Sequence, residues 1–144
     1  VTAKFLAAYT LVAVMMVASG YYVLVMLRFG TPEMPVVWVA YAGVLIASLA
    51  YIAIGLFASS LTENQIVAAI VSFVLLFGLY LLGDLTTPAS GGVNRLLEVM
   101  SMRYHADYFS KGLLRLEDVA YFVMLTAIFL FLTCRNLEVR RWRL

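Results

Sequence analysis

Only two side chains in this 144-residue sequence could serve as an imidazole or thiol catalyst, since His105 and Cys134 are each the sole residue of their kind. Neither sits in an arrangement that chemistry would need. The sequence has no H-E-x-x-H pair, no G-x-S-x-G elbow and no second cysteine to complete a metal site or a disulfide. His105 therefore reads as a polar residue on a short interfacial helix, and Cys134 as a small apolar residue at a helix end. The G-x-x-x-x-G-K-[ST] loop is also missing, so the chain does not hydrolyse ATP in the P-loop manner. The residues assign no catalytic group, no metal and no cofactor.

What the sequence does carry is an unusual separation of charge from apolar surface. Phe5 to Leu27, Met34 to Thr62, Asn64 to Gly83 and Val119 to Cys134 contain no Asp, Glu, Lys or Arg. A bilayer core of ~30 Å needs roughly 20 apolar residues in a helix. The first three runs reach that length, and Arg135 extends the fourth by snorkelling to the headgroups. Hydrophobic residues make up 65% of the chain, charged residues 12%, and mean hydropathy is +0.99. A soluble domain is about 25% charged and exposes too much surface to hide such a composition. A net charge of +2, without basic residues interleaved with exposed aromatics, is too small to suggest nucleic acid, and no nucleic-acid partner is expected. The start at Val1, without Met, suggests a piece of a longer chain.

The elements follow from breakers and periodicity. Helices are expected at about 2–27, 35–59, 63–83 and 117–137. Arg28 to Glu33 forms a polar turn, and Pro35 suits the start of the second helix. Thr62 and Gln65 have the spacing of a capping box, which starts the third helix at Glu63. The connection is short, so helices two and three are antiparallel neighbours. The segment 84–116 opens with a flexible stretch, Thr86 to Gly92. Asp84 to Asp118 holds nine of the 18 formal charges. Val93, Leu96, Leu97 and Met100 then recur at helical spacing, and a second short helix is expected from Tyr104 to Lys111, ending at Gly112. Both read as interfacial. Glu117 and Asp118 suit the positive end of the last helix dipole. The tail 138–144 is basic.

Ala40, Gly43, Ala47 and Ala50, continued by Gly55 and Ser59, and Ala68 with Ser72, form small-residue stripes of the kind that let membrane helices approach. Tyr21, Tyr22, Trp38, Tyr41, Tyr80 and Tyr121 fall toward one side, as an aromatic belt or as rings packed between helices. Basic residues tie at five a side, so charge alone does not orient the chain. No acid or base lies within the apolar runs, which argues against a self-powered proton antiporter.

Gly55 to Ala69, with Ser60-Leu61-Thr62-Glu63-Asn64-Gln65 at its centre, resembles the permease subunit of ABC-2 type transporters, in the branch that includes gliding-motility-associated permeases. Tyr121-Phe122 through Leu137-Glu138-Val139-Arg140-Arg141-Trp142 is similar to the last helix and basic tail of that branch. The resemblance covers nearly the whole chain and implies an all-α polytopic membrane protein with four transmembrane helices in one domain. These would be the last four of six. The short helices between the third and fourth would be extracytoplasmic, in a re-entrant region, and Glu63 and the tail cytoplasmic. It further implies an exporter in the bacterial inner membrane, paired with a second permease subunit and driven by a separate ABC ATPase subunit. Thr62, Glu63, Asn64 and Gln65 would order a cytoplasmic coupling turn, and Val93, Leu96, Leu97 and Met100 would cap the outer mouth. The competing expectation is a non-transporting membrane anchor or assembly subunit of a surface or motility machinery.

Overall fold

A computed structural model describes residues 1–85 and 91–141. Thr86 to Ser90, most of the expected flexible stretch, and Trp142 to Leu144 lie outside the described residues. The described residues form six helices and no strand: α1 (Thr2–Phe29), α2 (Met34–Leu61), α3 (Gln65–Leu81), α4 (Gly91–Met100), α5 (Met102–Ser110) and α6 (Leu116–Arg141). Three of them, α1, α2 and α6, are long and apolar enough to cross a membrane. This is a membrane-embedded protein. α3 is apolar but has 17 residues, ~25 Å of rise.

α2 is the axis of the bundle, packing against α1, α3, α5 and most extensively α6. Its buried seam is small: Gly43, Ala47, Ala50, Ala53 and Ala58, with Ile54 as the one large residue. The spacing 43, 47, 50, 54, 58 keeps these on one face of a 3.6-residue helix. Gly55 and Ser59 are one position off that seam. Gly55 meets open space and Ser59 is exposed, so the expected stripe holds only in its first half. Ser72 donates to Ala68 O within its own helix.

α6 lies parallel to α2. Phe57 meets Phe129 edge-on at 5.5 Å, and Asn136 Nδ2 donates to Ser60 O at 2.8 Å and to Ser60 Oγ at 3.0 Å. Ser60 O is one of the carbonyls that a helix C-terminus leaves without an intrahelical donor, and Asn136 supplies that donor from across the bundle. α6 runs through Arg141, past the expected end at 137. No Gly or Pro interrupts it, and Arg135 pairs with Glu138 one turn on at 3.7 Å.

The two short helices depart most from expectation. α4 begins at Gly91, so Gly91 and Gly92 are helical rather than loop. α5 buries one face against the bundle and leaves the other exposed. Met102, His105 and Phe109 are buried on one stripe, and Met102 and Phe109 join Ala47, Ala50, Ile54 and Phe122 in the main apolar cluster. The chain reverses at Ser101, which is fully buried and accepts from Tyr104 N–H. α4 and α5 thus meet at a buried turn, with α5 packed against α2, α3 and α6 while α4 buries no residue; we term this α4–α5 pair the hairpin. It leaves the bundle at Gly112, whose φ of +74° favours glycine and where a Cβ would meet Val36 at 2.8 Å.

Gly43 makes room for this insertion. An added Cβ there would lie 2.5 Å from both Cβ and Cγ of Phe109, atoms too near the backbone to swing away. Gly43→Ala is therefore expected to destabilise the folded bundle by about 1–3 kcal/mol through overpacking. Thermal unfolding in detergent checks this, with Gly55→Ala, which meets open space, as the control that should not destabilise.

Candidate functional site

The hairpin brings the chain's only histidine against an acid from the next helix. His105 Nδ1 lies 2.6 Å from Asp118 Oδ1, and His105 Nε2 lies 3.1 Å from Val99 O. Both side chains are withdrawn from solvent, Asp118 completely. Tyr121, one turn on from Asp118, stacks on the imidazole with centroids 4.1 Å apart and 19° between planes. Its hydroxyl donates to Met100 O at 2.6 Å. One face of α6 therefore holds the last turn of α4, the reversal and the middle of α5 together. Asp118 Oδ2 has no hydrogen-bond partner, alone among the buried side-chain oxygens and nitrogens of the described residues.

Neither residue was legible as a partner of the other. Asp118 was expected only to suit a helix dipole, and His105 to sit at an interface. The signal lay in the seams. Asp118 falls in line with Phe122, Thr126 and Thr133, all buried, and His105 falls between Met102 and Phe109. An ionisable residue on an apolar seam is costly unless it is paired.

Around the mouth of the hairpin the charges pair in the open. Arg103 bonds Asp84 and lies over the Tyr80 ring. Arg115 pairs with Glu117 at 2.7 Å and covers Tyr108 at 4.6 Å. Asp107 accepts from Lys111, and that bond holds the Lys111 ammonium above its ordinary range. Asp84, Glu98, Arg103, Tyr104 and Asp107 line an open cleft of about 300 Å³. No three side chains among the described residues are grouped to hold a metal ion.

The expected outer-mouth residues do share α4. Val93, Leu96 and Met100 are exposed and Leu97 is half-buried, leaving an apolar face outward. The expected capping box does not form. Asn64 caps α3, its Oδ1 accepting from Ile66 N–H at 2.9 Å, and Thr62 ends α2, its Oγ1 accepting from Asn64 N–H at 3.2 Å. Asn64 reaches the second amide of the helix itself, so α3 starts at Gln65 rather than Glu63, and Gln65 is an exposed first-turn residue. Of the six belt aromatics, Tyr21, Tyr22, Trp38 and Tyr80 are exposed. Tyr41 shares a 3.0 Å hydrogen bond with Ser19 of α1, and Tyr121 packs on His105.

The spans offer no hydrophilic lining. Ser48, Ser60, Thr126 and Thr133 are buried, and each donates at 2.7 Å to a carbonyl three or four residues back in its own helix. No family model, no curated protein and no solved structure matches this chain.

The pair predicts strong coupling. His105→Ala leaves a buried carboxylate without its partner, at an expected cost of ~3–5 kcal/mol. The double variant with Asp118→Ala should cost clearly less than the two single variants summed. A double-mutant cycle on unfolding in mild detergent measures this directly, and additive losses would mean that the two groups do not interact.

Proposed function

We propose that the chain is a permease subunit of an ATP-driven ABC-2 type transporter, working as an exporter in a bacterial inner membrane. The observation that carries the reading is α5, which packs into the bundle at this place in the chain, between α3 and α6. The sequence resemblance expects a re-entrant extracytoplasmic region at that place in the chain. In this reading α3 is also a span, the third of four, its uncharged run from Asn64 to Gly83 completed by the residues flanking the helix. Glu63 and the tail face the cytoplasm.

The buried hydroxyls support a particular route. Each is bonded within its own helix, so a single copy presents no polar path. Substrate would move between two permease subunits, and a separate ABC ATPase subunit would drive the change of state. Thr62 to Gln65 would order the turn nearest that ATPase, with Asn64 as its structural cap. Val93, Leu96 and Met100 would close the outer mouth against lipid or the partner permease.

The same lack of polar lining favours a second reading, a non-transporting anchor or assembly subunit of surface or motility machinery. α1 adds weight to it: the helix buries no residue and offers a whole apolar surface to its surroundings. Affinity purification of the tagged protein from its native membranes in mild detergent separates the two. The transporter reading expects a P-loop ATPase recovered in about equal amount. Preparations that repeatedly lack one would favour the anchor.

A further inference from the structure

The His105–Asp118 geometry fixes a proton count. Val99 O is a carbonyl and only accepts, so its contact with His105 Nε2 requires a hydrogen on that nitrogen. A neutral imidazole then has a lone pair at Nδ1. An ionised Asp118 also only accepts, yet its Oδ1 lies 2.6 Å from Nδ1. The contact therefore holds a second hydrogen, either on an imidazolium facing a carboxylate or on a carboxylic acid facing a neutral imidazole. In both forms the pair is neutral overall and carries one proton more than a neutral histidine beside an aspartate anion.

Removing that proton has no benign outcome. If Nε2 keeps its hydrogen, two acceptors face each other at Nδ1. If the hydrogen moves to Nδ1, the Nε2 lone pair faces Val99 O. Either way a full negative charge is left on a side chain with no solvent access, and its Oδ2 has no partner to share the load. Asp118 belongs to α6, His105 to α5 and Val99 to α4, so the bond that fails is one of those tying this segment to α6, beside that of Tyr121 to Met100 O.

We propose that this pair is a proton-dependent latch. With the shared proton bound, it holds α5, and with it the end of α4, against α2 and α6. When the proton leaves, the hairpin is released. The latched state thus belongs to the protonated pair and is lost when that proton is removed. The ionisable groups around it are Tyr104 of α5, edge-on to His105, and Tyr121 of α6, stacked on it. Arg115, just before α6, has a guanidinium that feels the Asp118 carboxylate. Tyr51 of α2 lies near Tyr121, while Glu98 of α4 and Arg103 line the cleft with Tyr104 and Tyr80 of α3 lies under Arg103. Among the described residues, only Asp118 forms a hydrogen bond to His105 from a charged side chain. The inference stands apart from the transport reading.

The test uses the protein in lipid nanodiscs, in a Cys134→Ser background, with spin labels at Arg95→Cys on α4 and Val123→Cys on α6, both exposed positions. One short distance is expected at acid pH, with a longer one growing to the majority as pH is raised. Asp118→Asn should remain at the short distance throughout, because the introduced amide donates to Nδ1 without a titrating proton. Tyr104→Phe should keep the transition. A wild-type distance that ignores pH, or the same transition in Asp118→Asn, overturns the latch. Should Asp118→Asn not insert, nitrogen-15 histidine labelling decides, since His105 is the only histidine. Imidazole signals that step together with the distance support the latch, and signals that stay fixed through the distance change overturn it.

Discussion

A carboxylate fully withdrawn from water sits near the start of α6, and the arrangement of the hairpin answers to it. Asp118 occupies a seam otherwise made of Phe122, Thr126 and Thr133. Left alone there, it would oppose insertion and folding alike. His105 supplies the partner, and it reaches Asp118 only because the chain turns back at Ser101 and carries α5 into the bundle. Tyr121 completes the arrangement, flat against the imidazole and bonded to the carbonyl just before the turn. A segment that holds half of the chain's formal charges thus sends its one histidine inward and keeps its other ion pairs in the open.

The second constraint is steric. Lipid tails give helices no hydrophobic reason to associate, so packing and interhelical hydrogen bonds decide which surfaces meet. α2 meets this with a seam of glycine and alanine that admits Phe109 at one level and α6 along its length. Asn136 and Ser60 fasten the far end. Polar contacts thus fasten the bundle toward both ends, the His105–Asp118 pair at one and the Asn136 clasp at the other, with close-packed small residues between. α1 takes little part, bound to α2 through Tyr41 and Ser19 and otherwise open.

Much of this was legible in the residues. Uncharged runs marked the long helices, and Gly and Pro marked their ends. Gly43, Ala47 and Ala50 pointed to close approach. What escaped was long-range. A helix cap can be assigned from spacing, but Thr62 and Asn64 offer rival oxygens two residues apart, and only backbone geometry decides that Asn64 caps. The inward turn of α5 depends on a glycine 66 positions earlier and an acid 13 positions later, neither of which a local periodicity registers. The stripe Met102, His105, Phe109 was visible as amphipathic, and an amphipathic helix near a membrane reads equally well as lying on the lipid surface. The choice between surface and interior rests on whether Asp118 needs a partner.

Whether the hairpin is inserted is accordingly the question on which the account turns. A cysteine scan from Val93 to Ser110, in a Cys134→Ser background and intact membranes, reads it with a water-soluble thiol reagent. The account predicts protection at Ser101, Met102, His105 and Phe109, with ready reaction at Arg103, Asp107 and Ser110, exposed positions of the same segment. Comparable reaction along both helices, with no protected stripe and no protected turn, would place the hairpin on the surface and contradict the account.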